Sequence, residues 1–166
     1  MDAYFDHIGL PDLLEQPAGA PSLVRDAFAQ PDQNNIDPQQ VADLYQYLVP
    51  HFQDDSLDCC CPEEIGEQSY HLADAYGLDH DELLTHPMTQ RLLRLQTIVE
   101  ALQQQTEADW VGIYRRVVRA DGMPVLVKEA YRGKLSRPEF PLKQEFACHS
   151  NNVTVALEAK AVIVQN

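Results

Sequence analysis

Trp110-Val111-Gly112-Ile113-Tyr114-Arg115-Arg116-Val117-Val118 is the stretch on which the fold turns. It is rich in β-branched and aromatic side chains, which suit a pleated, half-buried surface, so it reads as a strand. Asp121-Gly122 follows with the composition of a tight turn. Val125-Leu126-Val127-Lys128-Glu129-Ala130-Tyr131 then returns as the second arm of an antiparallel hairpin, which Arg132-Gly133 ends. Further on, Glu139-Phe140-Pro141-Leu142 reads as a short edge strand and residues 152–157 as a helix or turn. Ala161-Val162-Ile163-Val164-Gln165 reads as a final buried strand.

Upstream of the hairpin the period changes from two to 3.6. From residue 88 to 106, Leu92, Leu95, Ile98, Val99 and Leu102 form one apolar stripe, so this segment is expected to be the strongest helix. Before it, Pro62 with Glu63 and Glu64 suggests a helix start, the acids sitting where the helix dipole favours them. Its face would be Ile65, Ser69, Leu72, Ala73 and Tyr76. Gly77 supplies a left-handed stop and Asp79 caps a short turn. Asp37-Pro38 is another helix start, and Val41, Leu44, Tyr45 and Leu48 at helical spacing predict a helix over 38–50 closed by Pro50. The first 37 residues, broken by Pro11, Pro17, Pro21 and Pro31, read as loops with one helix near 22–30.

Charge divides the chain at Pro87. Residues 1–86 carry 18 acids against one base, Arg25, a balance of -17, whereas residues 87–166 carry 8 acids against 11 bases, a balance of +3. The acidic half either keeps the protein soluble and docks on the basic half, or serves a partner. The overall charge of -14 argues against nonspecific nucleic-acid binding, which needs clustered Lys and Arg. No stretch approaches the roughly 20 apolar residues that span a bilayer, and no basic and apolar leader opens the chain. The expectation is a cytoplasmic protein that engages neither membrane nor nucleic acid.

The long amphipathic helix, then Ala108-Asp109-Trp110-Val111-Gly112-Ile113-Tyr114, the two-stranded return and a later buried strand together resemble the opening half of a GAF domain. The Trp-x-Gly-x-Tyr stretch is most similar to the free methionine-(R)-sulfoxide reductase branch. The expected fold class is therefore α/β in the α+β sense, in three segments. A loop-rich segment spans 1–37, an acidic helical region spans 38–86, and a GAF-like domain spans 87–166. The resemblance implies an antiparallel sheet with helices on one face and a small-molecule pocket on the other. It also implies further strands beyond 161–165, so that either the sequence is a piece of a longer chain, or a second copy or second chain completes the sheet, or the domain is closed differently.

The same resemblance assigns candidate residues. Trp110, Tyr114 and Tyr131 would wall the ligand pocket, with Trp110 and Tyr114 on one side of their strand by even spacing. Ser150, Asn151 and Asn152 would either cap the next segment or bond a polar ligand at the pocket mouth. Cys148 lies near a catalytic cysteine of the reductase branch, with His149 beside it, but 136–140 lacks that branch's earlier cysteine. The alternative for Cys148 is a small packing residue.

Outside the resemblance, Cys59, Cys60 and Cys61 form a run whose thiols could hold zinc or copper, with His51, His71 or His80 completing the set. They lack C-x2-C spacing, so an ordinary turn with an exposed thiol is the competing reading. His71 and Asp74, three apart, could face a metal or simply solvent. Arg132, Lys134, Arg137 and Lys143 could hold an anion or meet the acidic half. No cofactor is named by any motif. Three functions stay open: a ligand-binding or signalling GAF-like sensor, a thiol-dependent methionine sulfoxide reductase, or a helical redox- or metal-responsive interaction protein.

Overall fold

In the computed structural model, residues 36–52 and 64–161 are described. The proposed helix near 22–30, the Cys59, Cys60 and Cys61 run, and all but the first residue of the strand expected over 161–165 lie outside the described residues.

Asp37 caps the first helix through its side chain, which accepts from the Gln39 N–H, and Pro38 opens α1 (Pro38–Tyr45) as expected. The helix stops there, five residues short of the expected Pro50. Gln46 turns extended and β1 (Gln46–Phe52) pairs antiparallel with β2 (Glu64–His71). The residue before a proline avoids helical angles and proline cannot donate to a ladder, which fits Pro50 to a two-stranded sheet whose members are both edges. The helix expected from Pro62 is likewise corrected. Its first half is β2, largely exposed, and only α2 (Leu72–Tyr76) is helical, with Leu72 and Ala73 buried. Periodicity was matched by both segments, but the available partner strand decided the backbone. The acidic 38–86 segment is thus mixed rather than helical. Gly77, with φ of 62°, ends α2, and Asp79 caps the 3₁₀ turn His80–Glu82, both as anticipated.

α3 (Pro87–Thr106) begins under a His86 cap and buries Met88, Leu92, Leu93, Ile98 and Val99. β3 (Trp110–Val118), β4 (Pro124–Gly133) and β5 (Glu139–Pro141) form a second antiparallel sheet in the order β3-β4-β5. The hairpin and the short edge strand follow the sequence reading. α4 (Gln144–Ala147) and α5 (Asn151–Glu158) complete the described chain. The architecture is mixed α+β, and no helix among the described residues is long and apolar enough to cross a membrane.

Helices do not cover one face only. Val125 and Val127 join Val41, Tyr45, Leu72, Met88 and Leu92 in the main core. Leu126 joins Leu142, Phe146 and Val153 in a second. Because side chains alternate along a strand, the two clusters occupy opposite faces of β4, the first covered by α1, α2 and α3 and the second by α4 and α5.

Four tyrosines of the acidic half bond residues of the basic half across this core. Tyr45 pairs with Thr89 at 2.9 Å, and Tyr47 donates to the Lys128 carbonyl at 2.7 Å. Tyr70 donates to Glu139 at 2.7 Å, and Tyr76 donates to Glu129. The ion pairs among the described residues stay within one half or the other. Among the described residues, hydrogen bonds and apolar packing rather than ion pairs join them.

Glu129 is buried and keeps only Arg91 as a side-chain partner if the Tyr76 hydroxyl is removed. Tyr76→Phe is expected to cost about 1–3 kcal/mol in urea denaturation, the usual penalty for stripping a hydrogen bond from a buried charged group. Tyr70→Phe should cost less, since Glu139 retains Arg119 and is more exposed.

Candidate functional site

β4 carries the features that set the site. Its register with β3 shifts where Ile113 faces Ala130 and Tyr114 faces Lys128, which leaves Glu129 as the extra residue of a bulge. Lys128 and Glu129 are both buried in the middle strand of the sheet. Buried charges need partners, and these two find different ones. Glu129 takes Arg91 of α3 at 2.6 Å as well as the Tyr76 hydroxyl. Lys128 Nζ donates to the Ser136 carbonyl at 2.7 Å and to Ser136 Oγ at 3.1 Å. It also stands 4.0 Å from the Tyr131 ring centroid and 5.1 Å from that of Tyr47. Aromatic faces stabilise a cation, but no carboxylate is among these contacts. Burial consequently lowers the Lys128 pKa to about 8.

Beside this strand lies a half-open cleft of about 570 Å³ between α1, α3 and β4. Leu44, Leu93 and Ala130 supply apolar wall, Tyr47 and Tyr131 supply rings, and Asp43, Gln96, Glu100 and Glu129 supply polar groups. Arg132 closes one end, held by Glu100 and by the Gln96 amide when its carbonyl turns toward the guanidinium. The two tyrosine rings lie 5.4 Å apart, tilted, and Tyr131 reaches back toward the Leu48 carbonyl at 3.4 Å. Glu129 is matched by Arg91 and Glu100 by Arg132, which leaves Asp43 as the lining carboxylate without an ion pair among the described residues and favours a neutral or cationic guest over an anion.

The expected pocket residues divide. Tyr131 lines the cleft. Trp110 and Tyr114 do share a face, with rings 6.2 Å apart, but they belong to an aromatic row that continues through Phe140 to Phe146 on the α4–α5 side. Tyr114 donates to the Arg137 carbonyl at 2.8 Å, which fixes that row to the loop before β5. Gly112 lies beneath the Trp110 indole, where a Cβ would stand 2.2 Å from the ring, so the glycine of the Trp-x-Gly-x-Tyr stretch makes room for its tryptophan. Ser150 caps α5 by accepting from the Val153 N–H, with Asn151 and Asn152 in the first turn. Cys148 is exposed one residue beyond α4, its thiol directed to the Glu145 carbonyl at 3.1 Å. Cys59, Cys60 and Cys61 lie outside the described residues. The basic cluster separates, Arg132 going to Glu100 and Arg137 over the Phe52 ring at 4.5 Å.

The Lys128-Glu129 pair was missed by sequence reasoning. A signal existed, since two adjacent charges interrupt an otherwise apolar strand and break its alternation. Both stay buried because both faces of β4 are covered.

Comparison with protein-family models, with curated proteins and with solved structures finds no match in any of the three.

Lys128 ties stability to pH in a defined direction. Below pH 8 the lysine is charged in both states and the burial penalty is fully present. Between about 8 and 10.5 the unfolded chain binds the extra proton, so stability climbs with pH, by at most about 1.4 kcal/mol per unit. Tyr47, Tyr70, Tyr76 and Tyr114 have raised pKa values, chiefly from burial, so their stabilisation is intact below pH 10 and is lost above it. Chemical denaturation should show stability rising from pH 8 to 10 and falling beyond. Lys128→Met should abolish the rise and keep the fall.

Proposed function

We propose that this protein is a GAF-like small-molecule sensor whose ligand occupies the cleft between α3 and β4. The observation that carries this reading is the cleft itself. Its volume of about 570 Å³ lies in the range of small-molecule sites, and it combines apolar wall, aromatic rings and a few polar groups. The acidic lining selects a compact polar molecule that is neutral or bears an ammonium group. Both α1 and α3 wall the cleft, so a bound molecule would tighten the acidic half onto the sheet. That coupling is the sensor's output.

Thiol-dependent reduction of free methionine-(R)-sulfoxide is the second reading, supported by the exposed thiol of Cys148. The reaction needs a second thiol, and Cys148 is the only cysteine among the described residues. A zwitterionic amino-acid sulfoxide nevertheless fits the ligand class of the cleft.

Thermal-shift titration with a panel of amines and zwitterions, methionine-(R)-sulfoxide included, tests the proposal. At least one compound is expected to raise the melting temperature, and Thr97→Trp, at an exposed position on the cleft wall, should erase that rise. A shift unaffected by Thr97→Trp would place binding elsewhere. Dithiothreitol-driven loss of the sulfoxide, abolished in Cys148→Ser, would establish the reductase instead.

A further inference from the structure

Between β2 and the 3₁₀ turn the chain doubles back at Gly77, and three metal-ligating side chains converge. His71 is the last residue of β2, Asp74 lies in α2, and His80 opens the turn that Asp79 caps. One donor atom from each falls within 4.8 Å of the other two. His80 Nε2 and Asp74 Oδ1 are 2.7 Å apart, and the two imidazole rings stack at 4.0 Å, tilted by 11°. His71 is steadied from behind by the buried Tyr45 ring, at 6.4 Å and 17°. Its Nδ1 is shielded from solvent and has no hydrogen-bond partner among the described residues.

From this arrangement we infer that His71, Asp74 and His80 bind one divalent transition-metal ion of the zinc class. Two imidazoles and a carboxylate are the donor set that borderline ions prefer over magnesium or calcium, which take oxygen ligands. Tetrahedral ligands at about 2.0–2.1 Å from zinc stand about 3.3 Å from one another. The 2.7 Å contact therefore opens by about half an ångström, and the other separations, all within 4.8 Å, close by no more than about 1.5 Å. Asp74 and His80 are exposed and free to rotate by that much, while His71 stays on its tyrosine. The imidazole of His71, one of whose nitrogens has no hydrogen-bond partner among the described residues, is left able to ligate. Three protein ligands leave a fourth position for water or a small molecule. His71 and Asp74 both line a second groove, edged by Tyr70, Tyr76, Arg119 and Glu139, from which such a molecule could enter. This site is separate from the cleft of the proposed function, whose lining shares none of these residues.

Titrating the full chain with Zn²⁺ by calorimetry, and with Co²⁺ by absorption, decides the matter. One equivalent of zinc is expected to bind. His80→Ala and Asp74→Asn, both at exposed positions that leave the fold intact, should each weaken binding at least tenfold. The Cys59→Ser, Cys60→Ser, Cys61→Ser triple variant should retain the site, and cobalt should give no thiolate charge-transfer band. Absence of zinc binding, binding unchanged in His80→Ala and Asp74→Asn, or binding lost only in the triple variant would overturn the inference.

Discussion

Tyrosine hydroxyls reaching buried acceptors hold this fold together. Each of Tyr45, Tyr47, Tyr70 and Tyr76 buries ring surface where the acidic half meets the sheet and then bonds a polar group of the basic half. The hydrophobic core supplies the attraction, which has no direction. The hydroxyls supply the register, because a bond to Thr89, Glu129 or Glu139 exists in one arrangement only. Among the described residues, no ion pair links the two halves.

The same constraint creates the site. The bulge at Glu129 turns two consecutive charged residues into the interior, one toward α3 and one toward Ser136 and the tyrosine rings. Keeping Lys128 charged without a carboxylate costs stability, and a polar pair in the centre of a sheet prevents the strand from being replaced by a purely apolar one. Such a cost is tolerated where a site needs polar groups held rigidly, and Glu129 forms part of the cleft wall. The His71, Asp74 and His80 group sits at the surface, with His71 stacked on Tyr45 and the other two exposed.

Strong local patterns were legible in the chain itself. The α3 stripe, the hairpin with its Asp121-Gly122 turn, the Asp37-Pro38 start, the Gly77 stop and the Ser150 cap depend on patterns or contacts close in sequence, and they appear, with the edge strand at Glu139, where the sequence places them. Gln46–Phe52 and Glu64–His71 were not legible, since their apolar spacing fits a helix as well as a strand and neither segment carries information about the other. The placement of helices on both faces of β4 is also a long-range outcome, visible only once Leu126 meets Phe146 and Val153.

For the candidate sites the division is sharper. Sequence by itself determined which residue types were on hand, that Trp110 and Tyr114 would share a face, and that Gly112 lay between them, because alternation along a strand is local geometry. Only the tertiary structure decided that Tyr131 lines a cleft while Trp110 and Tyr114 join an aromatic row with Phe140, and that His80 comes back to Asp74. The physical reason is that a cleft is a gap between elements distant in sequence, here α1, α3 and β4, and its existence depends on how their side chains fail to fill the space they enclose.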